Sequence, residues 1–137
     1  MQVISIPCLQ DNYAYLVVCS QTNQAAVVDP ADAIPVLHAI RAQRVTLTTI
    51  LNTHHHWDHV EGNKKLLKNF PGLRVVGHAS DKGRIPWQNV FINQGESFHV
   101  GNLEVTVTHN PGHTSGSVSF YIEDAAFTGD TLFAAGC

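Results

Sequence analysis

The sequence predicts an α/β fold: one mixed β-sheet, part of a second, and helices on the outer face, about half of an αββα sandwich. Three observations predict it. In the first half, short β-branched and apolar runs alternate with helical stretches. In the second half, strand-like runs follow one another through tight turns with little helical period between them. Where a strand ends and a helix begins lies Thr53-His54-His55-His56-Trp57-Asp58-His59. Open α/β sheets place their active sites at that kind of junction.

Taken in order, Gln2 to Ile6 reads as a strand, and Gln10-Asp11-Asn12 breaks the chain before a second strand, Tyr13 to Cys19. The polar turn Ser20 to Gln24 leads into a third, Ala25 to Asp29, closed by Pro30, so the last two form an antiparallel hairpin. Asp32 caps a helix over about Ala33 to Gln43, with Ile34, Leu37, Ile40, Ala33 and Val36 on its buried face and His38 at the surface. A strand from Thr48 to Thr53 delivers the histidine loop, and a helix from Glu61 to Phe70 stops at Pro71-Gly72. Leu73 to Gly77 is another strand, followed by His78 as a loop histidine. Residues Ala79 to Asn93 have no clean period and read as an irregular flap packed down by Trp87, Phe91 and Ile92.

Strands Glu96 to Val100 and Leu103 to His109 flank the turn signal Gly101-Asn102, with Leu103, Val105 and Val107 on one face. His99 and His109 are strand residues on this reading. Strands Val118 to Ile122 and Ala125 to Thr128 complete the pattern, joined at Glu123-Asp124.

Composition bounds the function. A chain of 137 residues, 44% hydrophobic and 14% charged, reads as one globular domain, able to bury roughly two-thirds of its unfolded surface. A net charge of −3 gives no general attraction to nucleic acid. Lys64, Lys65 and Lys68 form a solvated helix face rather than a phosphate patch. No apolar run approaches the length of a membrane span, and the first twenty residues lack a basic start. Cys8, Cys19 and Cys137 are odd in number and widely spaced, which points to a reducing, cytoplasmic compartment.

The histidine loop carries the chemistry. Positions 54 to 59 hold four of the nine histidines and one carboxylate. In an extended segment alternate side chains point the same way. His54 and His56 therefore converge on one cation while His55 turns aside. Imidazole suits zinc, iron and nickel. Asp58 and His59, where the chain bends into the helix, face a second cation, and two such metals share bridging ligands. The plain alternative is a surface histidine run, but accidental runs lack an internal aspartate and flanking strand and helix signals.

Downstream, Asn110-Pro111-Gly112-His113-Thr114-Ser115-Gly116 is a forced turn that presents His113 after a strand. His113 is the candidate third ligand of the first metal. Asp130, beside Gly129 at a strand end, is the carboxylate placed to bridge the two cations; an ordinary turn aspartate is the alternative.

The spacing His-x-His-x-Asp-His resembles the metal signature of the metallo-β-lactamase superfamily. The segments Asp11-Asn12-Tyr13, Val28-Asp29-Pro30, Thr53 to His59, Pro111 to Gly116 and Thr128 to Cys137 together look like its glyoxalase II (hydroxyacylglutathione hydrolase) family. The resemblance implies a metallo-β-lactamase-type αββα sandwich, incomplete at its carboxyl-terminal side. It implies that His54, His56 and His113 hold metal 1, that Asp58 and His59 hold metal 2, and that Asp130 bridges them. Asp29 is implied to orient a histidine. Two divalent cations are expected, zinc first, with iron or manganese as substitutes. By the same resemblance Asp58 and Asp130 are expected to be the catalytic carboxylates, with a metal-bound hydroxide attacking a glutathione thioester, S-D-lactoylglutathione, to give D-lactate and glutathione.

Two departures from the family pattern stand out. Ser117 occupies a position where relatives often carry a histidine that is not a ligand. The family also continues past Cys137 with a further histidine ligand, a helical domain and the residues that grip glutathione. Residues 1–137 are therefore expected to be the amino-terminal portion of the metallo-β-lactamase-type domain, with the helical domain absent and self-association through the truncated sheet. Competing functions are another enzyme of the superfamily, such as a single-iron persulfide dioxygenase, and a metal-binding fragment with little activity.

Overall fold

The computed structural model describes residues 1–9, 12–111, 114–128 and 132–134. His113 and Asp130, with Asp11 and most of the segment after Thr128, lie outside them.

Strands β1 (Gln2–Cys8), β2 (Asn12–Val18) and β3 (Gln24–Val28) form an antiparallel meander. From β3 the chain changes habit. Helix α1 (Ala33–Gln43) crosses to β4 (Thr46–Leu51), the short helices α2 (Trp57–Val60) and α3 (Asn63–Asn69) cross to β5 (Arg74–His78), and a single 3₁₀ turn (Ala79–Asp81) with a loop leads to β6 (Val90–Ile92). These four strands pair in parallel, and the first sheet runs β1-β2-β3-β4-β5-β6. A sheet that grows one strand at a time in one direction, by right-handed crossovers, puts every crossover helix on the same face. The opposite face is left for a second sheet. That sheet is an antiparallel meander, β7 (Ser97–Val100), β8 (Leu103–His109), β9 (Val118–Ile122), β10 (Ala125–Phe127) and β11 (Leu132–Ala134), in the order β11-β10-β9-β8-β7.

Two cores follow from this layering, and adjacent residues of one strand serve different ones. Val27, Ile50 and Val75 point to the helix side and pack with Val36, Ile40 and Leu66. Their neighbours Ala26, Val28, Leu51 and Val76 point to the other side and pack with Val105, Val107, Phe120 and Phe127. Strands covered on both faces read as continuous apolar runs, as in residues 25–28 of β3, Ile50 and Leu51 of β4, and Val75 and Val76 of β5. Phe120 and Phe127 are fully enclosed between the sheets, each stabilising the stack by about 1.5–3 kcal/mol. Layers of helix, sheet and sheet thus match the expected α/β sandwich in the part described. No helix among the described residues is long and apolar enough to cross a membrane.

Helix α1 has the expected bounds, and the Asp32 side chain accepts from the Ile34 N–H at 3.1 Å. Leu103, Val105 and Val107 are buried as their alternation requires.

Three expectations need correction. Ile34 is exposed, because the buried stripe is Ala33, Val36 and Ile40 and Ile34 lies one residue off it. The helix expected from Glu61 to Phe70 is present but shorter, as α3, and a separate turn of helix, α2, precedes it inside the histidine loop. The Gly62 N–H donates to the Pro30 carbonyl at 2.7 Å, and a side chain at Gly62 would collide with that carbonyl, so the backbone is drawn onto the β3–α1 loop and α3 starts only beyond it. The segment from Ala79 to Asn93 ends in a true strand, and Trp87 and Phe91 do not pack it down; Trp87 is 59% exposed. Ile92 and Ile85 are its apolar anchors. The rest is polar: Asn89 accepts from the Val75 N–H at 2.7 Å and donates to the Leu73 carbonyl at 3.0 Å.

Candidate metal centre

Two neighbouring strand ends build the site. β3 and β4 are parallel, so Asp29 and Thr53 emerge side by side just past their carboxyl ends. Asp29 has φ +49, a conformation aspartate tolerates better than most residues. Its N–H donates to the Leu51 carbonyl at 2.9 Å, while the Thr53 carbonyl accepts from the Val118 N–H at 2.8 Å. The loop is thereby stitched to both sheets.

The Asp29 side chain is buried, and a buried carboxylate is tolerated only when hydrogen-bonded. Asp29 Oδ1 accepts from the Thr53 N–H at 2.8 Å, and Oδ2 accepts from the Thr53 hydroxyl at 2.6 Å and lies 3.1 Å from His59 Nδ1. The Thr53 hydroxyl has one proton, and Asp29 takes it. The contact of 2.9 Å between Thr53 Oγ1 and His54 Nδ1 must then use a proton on His54 Nδ1. His59 Nδ1 likewise donates to Asp29. The network therefore assigns the same tautomer to both rings, with Nε2 as the basic nitrogen in each.

The rings converge. His54 lies with its centroid 4.1 Å from that of His59 and 4.9 Å from that of His56. Ligand atoms of Asp29, His54 and His59 fall within 4.8 Å of one another. Of these three, Asp29 already engages Thr53 and His59 with its oxygens, an arrangement that fits an orienting group. Carboxylate-held histidines of this kind are the usual support of zinc-type ligands. The donor set, imidazole nitrogen with carboxylate oxygen in a largely enclosed place, suits a divalent transition metal.

Asp58 Oδ2 sits 3.7 Å from His59 Nε2, on the side open to solvent. Asn12 Nδ2 donates to the Asp58 carbonyl at 3.1 Å and reaches its Oδ2 at 3.4 Å. His56 and His59 thus flank His54, and Asp58 reaches His59, while among the described residues the tight group of potential ligand atoms is Asp29, His54 and His59. His55 turns aside as the alternation requires, its Nδ1 lying 3.3 Å from Asp81 Oδ1. His113 and Asp130 fall outside the described residues.

The remaining histidines divide. His78 is buried at the end of β5 rather than lying in a loop, and its Nδ1 accepts from the Ser80 N–H at 3.0 Å, capping the 3₁₀ turn. Its ring stacks on His109 with centroids 3.9 Å apart. Burial pushes the His78 pKa down, His109 adds to that, and Asp81 opposes it. His109 Nε2 donates to the Ser115 carbonyl at 2.7 Å, bracing the loop in which His113 occurs. Ser117, at the family's histidine position, closes that loop instead, accepting from the Thr114 N–H at 3.1 Å.

Sequence reasoning gave no role to Thr53 or Asp81, and named Asn12 only as part of a motif. Thr53 had one available signal, its place directly before the histidines at a strand end.

Comparison with known proteins agrees with this fold. The family model of the metallo-beta-lactamase superfamily matches residues 10–137. The hydroxyacylglutathione hydrolase of Synechococcus sp. (strain ATCC 27144 / PCC 6301 / SAUG 1402/1) is 47% identical over 145 residues, covering 100% of this chain and 56% of that protein. The hydroxyacylglutathione hydrolase of Pelagibacter ubique (strain HTCC1062) is 45% identical over 139 residues, covering 100% of this chain and 58% of that protein. The chain thus spans little more than half the length of these curated relatives. Among solved structures, BLEG-1 B3 metallo-beta-lactamase superposes with a TM-score of 0.82 at 26% identity, over 96% of this chain and 73% of that one. ETHE1 from Myxococcus xanthus gives 0.80 at 30% identity, over 98% and 59%. On its sequence match and its sandwich of sheets, this chain belongs to the metallo-β-lactamase superfamily.

Proposed function

We propose that this chain carries metal-holding residues of a glutathione-thioester hydrolase, one that cleaves S-D-lactoylglutathione to D-lactate and glutathione. One observation carries the reading: three imidazoles meet at a strand-to-helix junction, two of them held by one buried Thr53–Asp29 network. Its substrate class is taken from relatives named hydroxyacylglutathione hydrolase at 47% and 45% identity.

On this reading His54, His56 and His113 hold one divalent cation, Asp58 and His59 hold a second, and Asp130 bridges them. Zinc is the proposed cation, with iron or manganese as substitutes. When bound, such cations supply Lewis acidity and make a water acidic enough to lose a proton near neutral pH.

The chain's own groups do the rest. Thr53 and Asp29 never touch substrate; they keep the protons of His54 and His59 on Nδ1, so Nε2 points to the centre as a base. Asp58, partly exposed beside His59, orients the attacking water and takes its proton. A C–O bond forms at the thioester carbonyl, the C–S bond breaks, and the departing thiolate is protonated by solvent. A cytoplasmic setting is part of the proposal, since reducing conditions keep thiols such as Cys8 and Cys19 free.

The test is glutathione release from S-D-lactoylglutathione by the zinc-loaded chain, paired with elemental analysis. Hydrolysis with two cations per intact enzyme is the expected result. One iron with oxygen consumption selects the persulfide dioxygenase reading instead, and cation binding without turnover reduces the chain to a metal-binding fragment.

A further inference from the structure

Asp81 is the second buried carboxylate near the histidine loop, and it is placed unlike the first. Its side chain is completely buried, yet neither oxygen accepts a hydrogen bond among the described residues. A carboxylate in that condition costs the folded state several kcal/mol of desolvation unless charge close by offsets it. Two nitrogen-bearing side chains are close. His55 Nδ1 lies 3.3 Å from Asp81 Oδ1, and Arg84 Nη1 lies 3.8 Å from the same atom. The other side of the carboxyl group is closed by Gly116. A Cβ on Gly116 would collide with both oxygens and the carboxyl carbon, so only a glycine fits against this carboxylate.

These contacts join three separate segments. His55 sits inside the loop bearing His54, His56, Asp58 and His59. Gly116 closes the loop 110–117, in which His113 occurs. Asp81 belongs to the 3₁₀ turn after β5, and its carbonyl accepts from the Arg84 N–H at 2.8 Å, fixing the base of the brace. Arg84 spans the same gap, reaching Ser115 Oγ at 3.4 Å. The histidine that does not face the cation site is therefore the one tied to the neighbouring loop.

We propose that Asp81 is a positioning residue for the metal centre, its carboxylate locking His55 against Gly116 and so setting the spacing of the two ligand-bearing loops. This inference rests on the metal-site reading above. It explains why a glycine stands at position 116 and why the buried carboxylate is retained despite its cost. Asp81 acts through other residues and contacts neither cation nor substrate.

The experiment uses the full chain and the variants Asp81→Asn, His55→Asn and the two combined. Zinc affinity is read by competition with a chromophoric chelator, and hydrogen exchange of the metal-free protein is read over residues 53–60 and 110–118. The expected result is zinc binding weakened about 10-fold in either single variant, with no further loss in the double. Both loops of the metal-free variants should exchange faster, while β2 to β4 exchange at the wild-type rate. Thermal stability of metal-free Asp81→Asn should equal or exceed that of the wild type, since a poorly satisfied buried charge has been removed. A merely structural residue would lose stability and zinc together. Should Asp81→Asn fail to fold, His55→Asn decides alone, because that side chain is partly exposed and its loss leaves the core intact. Wild-type zinc affinity and loop exchange in His55→Asn overturn the proposal, as does an Asp81→Asn effect that His55→Asn does not share. If the wild-type chain binds no zinc, the metal-site reading fails, and loop exchange in the metal-free variants still decides whether the brace exists.

Discussion

Asp29, just past β3, and His59, in α2, are 30 positions apart, yet His59 Nδ1 lies 3.1 Å from Asp29 Oδ2, and both are buried. The same oxygen takes the Thr53 hydroxyl proton at 2.6 Å. One carboxylate therefore sets the tautomer of two histidines, directly for His59 and through Thr53 for His54.

Replacing Asp29 by Asn tests that dependence. The amide puts two donors where one of the two oxygens accepted, so at least one of Thr53 N–H, Thr53 O–H or His59 Nδ1–H meets another donor. A buried polar group left without its partner costs about 1–3 kcal/mol. We expect Asp29→Asn to weaken zinc binding 10- to 100-fold and to lower the denaturation midpoint, read by chelator competition and urea unfolding. Unchanged zinc affinity would show that His54 and His59 do not need this support.

The geometry also orders the histidines. His54→Ala removes a ring at the point of convergence, whereas His55→Ala removes one that faces Asp81. Zinc affinity should fall by about 10-fold for His55→Ala and by well over that for His54→Ala. Equal losses in a zinc titration would count against the ligand assignment.

Much of this was legible in the residues. The two-residue spacing of His54 and His56 fixed which ring turns aside, and the strand order of the apolar runs gave the sheet-on-sheet layers. What escaped reading was set by contacts distant in sequence. The late start of α3, after Gly62, depends on the Pro30 carbonyl, 32 positions earlier, and nothing in the local pattern of Glu61 to Phe70 announces it. Trp87 and Phe91 looked like anchors because large aromatics usually are; the segment is instead held by Asn89, whose side chain pairs with β5 and the residue before it. Asp81 sits in a stretch without periodicity, and its meaning appears only when His55 and Gly116 are brought to it.

His78 makes stability depend on pH in a defined direction. Its Nδ1 accepts the Ser80 N–H at 3.0 Å, so the folded state favours the neutral ring, and burial with the neighbouring His109 pushes its pKa down. The unfolded chain, with a pKa near ~6.5, binds the proton more readily than the folded one. Stability therefore rises with pH through this window; the contribution is complete above the unfolded pKa and is lost as pH falls below it. His78→Asn keeps an acceptor near the same place without the titration. Urea unfolding between pH 5 and 8 should give a shallower slope for this variant than for the wild type, and an identical slope would exclude His78 as the source.

Asn12 is the last residue whose role can be measured separately from its neighbours. Its amide donates to the Asp58 carbonyl at 3.1 Å and reaches the carboxylate Oδ2 at 3.4 Å, from the first residue of β2. Asp58 is partly exposed, so rotamer freedom would otherwise let it leave the site. Removing the amide should cost about 1–3 kcal/mol of positioning where a charged acceptor is involved, roughly 5- to 150-fold in affinity, and only for the cation that Asp58 holds. Asn12→Asp should be worse than Asn12→Ala, because it sets a like charge beside Asp58 and offers no donor. The expected pattern in stepwise cobalt titration is a normal first equivalent and a weakened second, in the order wild type, Asn12→Ala, Asn12→Asp. Loss of both equivalents together would mean that Asn12 supports the loop as a whole and not Asp58 in particular.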